Sequence, residues 1–444
     1  MKLKYIHIDN YKIIKDETIN FIPKEGYPKY YYDYFRNNFT ILVGENGQGK
    51  TTLLSFITTI FHNIERYHDR IYGDFTMHYE IQLNGEEKQV TLEKEKDAIY
   101  ITVKDTIARS LLLENNPNRR TGLNDPRNPY PLQVTYKEIK RFLPTKTIAS
   151  VFSLHAEYPN SRTIRYIGEQ RVKIFDIAKL YGANHYNFNS LSKGISRFVQ
   201  MYEENRESVN NFFELLNLKF ENKVRIFELN YGDIASEFDY LDEEGWIAIT
   251  DDNKYKVLNM ESNRDIYLND LGFSKNGIDV NLSNMSSGEK MFIIRILSIL
   301  SEIEDNSIIV IEEPELHLNP SWTKQIITML HHFFKDYNVH FLISTHNYSF
   351  INTVFPENII KVKYGEFQSW DSKKKTFLAN EAEIHNMFFE NIRSNNYVEE
   401  VLRKKIKEGN KQELKEIFDY LGESYNKFRL FNEMMRKNYV ESDE

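Results

Sequence analysis

Phe39-Thr40-Ile41-Leu42-Val43 runs directly into Gly44-Glu45-Asn46-Gly47-Gln48-Gly49-Lys50-Thr51-Thr52. The first five residues are apolar or β-branched and too few for a helix, so they read as a buried strand. From Thr52 to His62, Leu53, Leu54, Ile57, Ile60 and Phe61 fall on one helical face. Between the two lies G-x-x-x-x-G-K-[ST], in the strand–turn–helix setting this phosphate-loop pattern requires. Its glycines let backbone N–H groups curl around phosphate oxygens, and the helix start aims its positive end at the same oxygens. Asn46, Gly47, Gly49, Lys50, Thr51 and Thr52 are therefore the candidate nucleotide contacts. Lys50 is expected to reach the β- and γ-phosphates of ATP, and Thr51 to ligate Mg2+. An ordinary glycine turn is the alternative, and the flanking pattern weighs against it.

Three further stretches carry chemistry. Ser307-Ile308-Ile309-Val310-Ile311-Glu312-Glu313-Pro314 reads as a buried strand ending in two carboxylates. Glu312 is placed to hold the Mg2+ shell, and Glu313 to polarise an attacking water. A solvated strand end is the bland reading of the same residues. Met285-Ser286-Ser287-Gly288-Glu289-Lys290 contains an S-x-x-E capping box from Ser286 to Glu289. A helix cap is one account of it; a second anion site at Ser287 and Gly288 is the other. Ser344-Thr345-His346-Asn347 closes another apolar run. A lone histidine is more often a satisfied core or surface residue, but His346 stands where the next parallel strand should end.

Outward from these stretches the pattern is mixed. Residues 71–104 alternate as strands, with Asn84-Gly85 a hairpin signal. Gly26 to Asn38 reads as an aromatic loop or hairpin tip, 113–132 as a mobile loop, 172–245 as charged and helix-rich, and 246–282 as short strands and turns. Strand Ile308–Ile311, a helix from Ser321 to about Asp336 and strand Val339–Ser344 make a parallel βαβ unit. The expected class is α/β: a P-loop head with a mixed or parallel sheet, an inserted mostly helical part without a long coiled coil, and a helical tail. Four parts are expected: 1–112 with the phosphate loop, 113–281 inserted, 282–370 with the two downstream carboxylates and His346, and 371–444 as the tail, a possible docking element. In that tail Ile417, Leu421, Tyr425, Phe428, Phe431 and Met435 recur at helical spacing; packing on the chain's own core is the competing reading.

Composition narrows the classes. The chain has 444 residues, 41% hydrophobic, with formal net charge -8 and no cysteine. An acidic balance argues against a generic nucleic-acid coat, though not against a local basic groove. Absent cysteine excludes disulfides and thiolate metal sites. No run approaches the roughly 18 apolar residues of a membrane span, so a cytoplasmic protein with no membrane partner is expected.

The order phosphate loop, long insertion, Ser-Gly helix start, two-carboxylate strand, strand-end histidine is that of ABC-type ATPases. At Glu313-Pro314-Glu315-Leu316-His317-Leu318-Asn319-Pro320-Ser321-Trp322, followed by Ser344-Thr345-His346-Asn347, the chain resembles the branch related to RecF, SMC and OLD proteins. Within it, the chain is similar to the PtuA-type ATPases of the Septu anti-phage system and to retron-associated ATPases. Phe152-Ser153 and Tyr166-Ile167-Gly168 resemble a further family landmark near the Q-loop, for which Gln133 and Gln170 are the candidates. The resemblance implies a homodimer or higher homo-oligomer that closes on ATP. In it, Ser287 and Gly288 complete the site of the opposite copy, and His346 senses the γ-phosphate. It also implies a separate nuclease subunit of HNH type, with nucleic acid reached through the complex. The chain departs from the family pattern in having Glu312 where Asp is usual, which makes slow hydrolysis plausible. His155, His331 and His332 read as ordinary strand and helix residues rather than a nuclease centre, and Arg119, Arg120, Arg162, Arg165 and Arg171 as a solvated basic face. A stand-alone RecF-like repair ATPase and a nucleotide-stabilised scaffold are the alternatives.

Overall fold

The structure is a computed structural model. It describes residues 1–113, 132–151, 158, 159, 171–177, 188–228, 238, 241–371, 373–379, 384, 397–422 and 424–437. The chain divides into two compact units, Met1–His385 and Asn386–Glu444. Among the described residues, no helix is long and apolar enough to cross a membrane.

In the first unit, eight strands in chain order begin the fold. They are β1 (Lys2–Tyr11), β2 (Ile14–Asn20), β3 (Asn38–Val43), β4 (Phe75–Leu83), β5 (Glu86–Glu95), β6 (Ala98–Val103), β7 (Ile107–Leu112) and β8 (Leu132–Val134). All but β3 form one sheet, in order β2-β1-β4-β5-β6-β7-β8. Its alternating inward residues, such as Phe75, Met77 and Tyr79, are buried. The Asn84-Gly85 turn joins β4 to β5 with Leu83 opposite Glu86, as the hairpin signal requires.

β3 instead lies inside a second sheet. Its other members are β9 (Thr147–Val151), β10 (Val172–Asp176), β15 (Ile308–Glu312), β16 (His340–Thr345), β17 (Ile359–Lys363) and β18 (Glu366–Ser369). The order is β10-β9-β15-β16-β3-β17-β18, parallel except for the edge hairpin β17–β18. Every residue of β3, β15 and β16 is buried, which is what a parallel sheet covered on both faces demands. Helix Lys50–Ile64 fills one face, and Leu53, Leu54, Phe56, Ile57 and Ile60 join it to the antiparallel sheet in one core. His340 is fully buried there. Leu3 N–H donates to its Nδ1 at 3.0 Å, so Nε2 carries the proton toward Thr40 Oγ1 at 2.9 Å.

The remaining strands, β11 (Lys219–Glu228), β12 (Trp246–Ala248), β13 (Ile266–Lys275) and β14 (Ile278–Asn281), form a four-stranded antiparallel sheet ordered β12-β11-β13-β14. Helices Phe188–Glu204, Arg206–Leu215 and Lys254–Asn263 accompany it. The longest described helix has 17 residues, so the inserted region carries no long coiled coil among the described residues. Phe198, Phe212, Phe213, Phe220, Phe273, Phe292 and Phe333 pack ring against ring and tie this region to helices Ser287–Leu300 and Ile326–Phe334. The region read as helix-rich thus also holds β11. Two register shifts, at Phe220/Lys223 and Arg225/Ile226, break the alternation that would have marked a strand.

The second unit has helices Tyr397–Glu408, Lys411–Tyr420 and Tyr425–Arg436. Asn410 and Ser424 cap the latter two. Ile406, Leu414, Leu430 and Met434 make its small core. The helical run expected through residues 417–435 is therefore two helices, and Phe428, Phe431 and Met435 are exposed.

Candidate nucleotide site

The carboxyl ends of β3, β15 and β16 meet side by side. Glu312 pairs in register with Ser344, and Ser344 with Leu42. The phosphate loop, the two carboxylates and His346 all leave the sheet at this edge, where parallel α/β sheets bind ligands.

The loop itself is held from outside. Gly47 and Gly49 adopt φ of 78° and 112°, which only glycine takes readily. Gln48 is pinned to the β17–β18 turn: its Oε1 accepts from Tyr364 N–H at 2.6 Å, and its carbonyl from Gly365 N–H at 2.9 Å. Glu45, Asn46 and Gly47 remain exposed, while Lys50 is buried. Lys50 Nζ donates to the carbonyls of Gly44 (2.6 Å) and Glu45 (2.8 Å), lying across its own loop. Burial pushes its ammonium below the usual value, while Glu313, Glu315 and Glu312 pull it back up. Thr51 and Thr52 are half-buried at the helix start.

Glu312 is buried at the end of β15. Burial raises its carboxyl above the usual range. The Thr51 and Tyr158 hydroxyls oppose that rise, Glu313 adds to it, and Arg295 opposes it. Its Oε1 has no hydrogen-bond partner among the described residues. A buried carboxylate oxygen without a donor, beside a threonine hydroxyl, fits a hard cation taking oxygen ligands. Thr51 and Glu312 are therefore chemically suited to Mg2+.

Glu313 takes a left-handed φ of 41°, and its N–H donates to Ser344 O at 2.9 Å. That kink carries its carboxylate away from Glu312's direction and toward His346, whose Nδ1 lies 3.1 Å from Glu313 Oε1. Glu315, buried, sits 3.9 Å from the same nitrogen and accepts from the Thr345 hydroxyl. Burial raises the Glu315 carboxyl.

At the start of helix Ser287–Leu300 the capping-box reading is met. Glu289 Oε2 accepts from Ser286 N–H (3.2 Å) and Oγ–H (2.6 Å), completing the capping box. Ser287 is exposed and Gly288 buried. A Cβ on Gly288 would collide with the backbone carbonyl of His317. The glycine thus lets the helix start press against the loop that follows β15.

Sequence reading missed four contributors. Gln48 braces the loop from a position the motif leaves free. Glu315 holds Thr345. Tyr158 is half-buried with its hydroxyl enclosed and facing Glu312; burial first, then the Glu312 charge, raise its phenol well above the usual range. Arg295 is buried beneath the site, and its charge faces Glu315 and Glu312. Arg295 did carry a signal, being the only charge in the run Met291–Leu300. Tyr158 carried none. Of the weaker candidates, Gln133 lies exposed on β8, the edge strand that pairs parallel with β7. His332 Nδ1 meets Ser208 Oγ at 2.7 Å, a helix-packing contact. Arg171 Nη1 donates to Lys140 O at 2.6 Å. Gln170, His155, Phe152-Ser153, Tyr166-Ile167-Gly168, Arg119, Arg120, Arg162 and Arg165 lie outside the described residues.

A phosphate loop between a central parallel strand and its helix, with two carboxylates and a histidine converging at the same sheet edge, defines an α/β P-loop ATPase head. The chain belongs to the family described as AAA domain, putative AbiEii toxin, Type IV TA system, whose model matches residues 39–352. It is 25% identical over 404 residues to the Retron Vc95 probable ATPase of Vibrio cholerae serotype O1 biovar El Tor, covering 79% of this chain and 74% of that protein. Against the Retron Ec83 probable ATPase of Escherichia coli, identity is 22% over 418 residues, covering 82% and 72%. Among solved structures it is similar to the SMC head domain from Thermotoga maritima, at 15% identity and TM-score 0.41, covering 83% of this chain and 98% of that one. A SmcHead bound to the C-winged helix domain of ScpA gives 13% identity and TM-score 0.42, covering 83% and 96%.

Proposed function

We propose that the chain is the ATP-binding and hydrolysing subunit of a Septu-like anti-phage complex, which pairs around ATP to control a separate HNH-type nuclease. The observation that carries the reading is the convergence of Lys50, Thr51, Glu312, Glu313 and His346 at one end of the parallel sheet. In this reading Asn46, Gly47, Gly49 and Thr52 line the phosphates, and Lys50 swings from its loop carbonyls to the β- and γ-oxygens. Thr51 and Glu312 hold Mg2+, which when bound polarises the terminal phosphate. Glu313 orients the attacking water and accepts its proton; His346, set against Glu313, contacts the γ-phosphate. Exposed Ser287 and the Gly288 helix start supply anion-binding N–H groups to the nucleotide of a second copy, which makes the pair two-fold. ATP then favours the closed pair by binding it preferentially.

Exposed Phe428, Phe431 and Met435 suit the second unit for docking the nuclease. The similarity to the two retron probable ATPases supports a defence setting with partner components. Nucleic acid is reached through the complex, in the cytoplasm.

Glu312 favours one variation on this reading. A buried carboxylate whose pKa is raised, and which is one methylene longer than Asp, suits slow turnover, with ATP acting chiefly as a clasp.

The test is purification of the chain with the nuclease encoded beside it in its host, followed by nuclease assays with and without ATP. Cleavage that responds to ATP, and loses that response in Lys50→Ala, supports the proposal. A chain that binds no neighbour yet binds DNA ends directly would favour the RecF-like repair alternative.

A further inference from the structure

Arg295 is the one charge on the buried stretch Met291–Leu300, and its side chain is almost wholly enclosed. The helix that carries it, Ser287–Leu300, turns one face to the segment that follows β15. Gly288 on that face lies against the His317 carbonyl, too close for a Cβ to fit. Phe292, one turn on, meets the Trp322 ring with 5.2 Å between centroids. Gly288, Phe292 and Arg295 stand at i, i+4 and i+7, so Arg295 continues the same face. Burial pushes its guanidinium down to about 10, against the pull of Glu315 and then of Glu312.

Both sides of this juxtaposition are incomplete. Arg295 Nη1 and Glu315 Oε2 are enclosed, and neither has a hydrogen-bond partner among the described residues. A buried charge left single is strongly destabilising, so each group needs the other. The second oxygen of Glu315, Oε1, is already engaged. It accepts from the Thr345 hydroxyl and lies 3.9 Å from His346 Nδ1. That nitrogen is in turn 3.1 Å from Glu313 Oε1. Contacts thus run from Glu315 to Glu313, and the step from Arg295 to Glu315 is the open one.

Resting on the ATP-clasp reading above, we propose that Arg295 is a positioning residue for hydrolysis: it closes on Glu315 Oε2 when the helix start at Ser287 and Gly288 engages the nucleotide of a second copy. A guanidinium fork matches a carboxylate in geometry as well as charge. Glu315, so held, keeps Thr345 and His346 in place and sets the imidazole beside Glu313. Arg295 itself touches neither nucleotide nor the attacking water. The helix that meets one nucleotide thereby acts on the hydrolytic groups of its own copy, which links the two sites of the pair.

Steady-state phosphate release and equilibrium ATP binding on the full chain test this. Arg295→Met should lower turnover about tenfold or more while ATP affinity stays within about twofold, and Glu315→Gln should do the same. The double variant should be no slower than either single, because both residues act through one link. Arg295→Lys, which keeps the charge, should return turnover to within about threefold of the parent. The double variant leaves no single buried charge from this pair, so it folds more readily than Arg295→Met alone. Should Arg295→Met not fold, Glu315→Gln against the double decides: equal turnover supports the link, and a further large loss in the double overturns it. Parental turnover in Arg295→Met, losses that multiply in the double, or affinity that falls in step with turnover also overturn it. A parent chain that binds ATP but releases no phosphate would sink the hydrolysis reading itself, and this role with it.

Discussion

His346 Nδ1 lies 3.1 Å from Glu313 Oε1, across the ends of two parallel strands. The pairing exists because Glu313 leaves β15 through a left-handed residue while His346 follows directly on β16. The imidazole is thereby set beside the carboxylate. His346→Ala should leave ATP affinity nearly unchanged and lower turnover by about 10²-fold or more, the scale of general acid–base contributions. Equilibrium binding and steady-state phosphate release on the same variant check this; equal losses in both would mean that His346 only holds nucleotide.

Gly288→Ala should destabilise the chain without nucleotide present. The added methyl meets the His317 carbonyl, a backbone atom that cannot step aside cheaply. Overpacking of this kind costs about 1–3 kcal/mol. Chemical denaturation of the nucleotide-free variant measures it. An unchanged midpoint would mean the glycine is there for a ligand alone.

Stability should depend on pH through two buried imidazoles. Burial holds His340 down at about 3 and, helped by Arg66, His62 at about 4. Both bind a proton more weakly folded than unfolded, where 6.5 is normal. The unfolded chain therefore takes up more protons as pH drops below about 6.5. The stabilisation is complete above that value and is lost progressively down to about pH 4 for His62 and about pH 3 for His340. His340→Gln should flatten the dependence between pH 6 and 4 by about 1.4 kcal/mol per pH unit, one proton's worth. Denaturant midpoints across that range give the slope.

The parts of the fold legible in sequence were those governed by short-range rules. β3 into Gly44–Thr51 into helix Lys50–Ile64 declares itself by a buried run, a glycine turn and helical spacing. The Ser286–Glu289 box and the Asn84-Gly85 hairpin do the same. Long-range packing hid the rest. Gly26 to Asn38 looked like a loop because it is rich in tyrosine, yet Tyr31 is buried and stacks on Tyr27 at 3.8 Å. The helix expected from Ser321 to Asp336 is two pieces, Pro320–Thr323 and Ile326–Phe334. In the second unit an unbroken helical period disguised the break that Ser424 caps. At the candidate site, the motifs named the residues that converge at the sheet edge but not those that hold them. Tyr158 reaches Glu312 from a segment with no pattern of its own, and Gln48 is fixed by a turn more than 300 residues away.

In the proposed reading, two copies clasp ATP between one copy's phosphate loop and the other's Ser287 helix start. Sedimentation velocity of Glu313→Gln with Mg2+ and saturating ATP tests it most directly, since that change leaves the nucleotide contacts in place and removes the base. A shift to a larger assembly that requires ATP and reverses when ATP is removed is the expected result. One unchanged species, with and without bound ATP, would contradict the account.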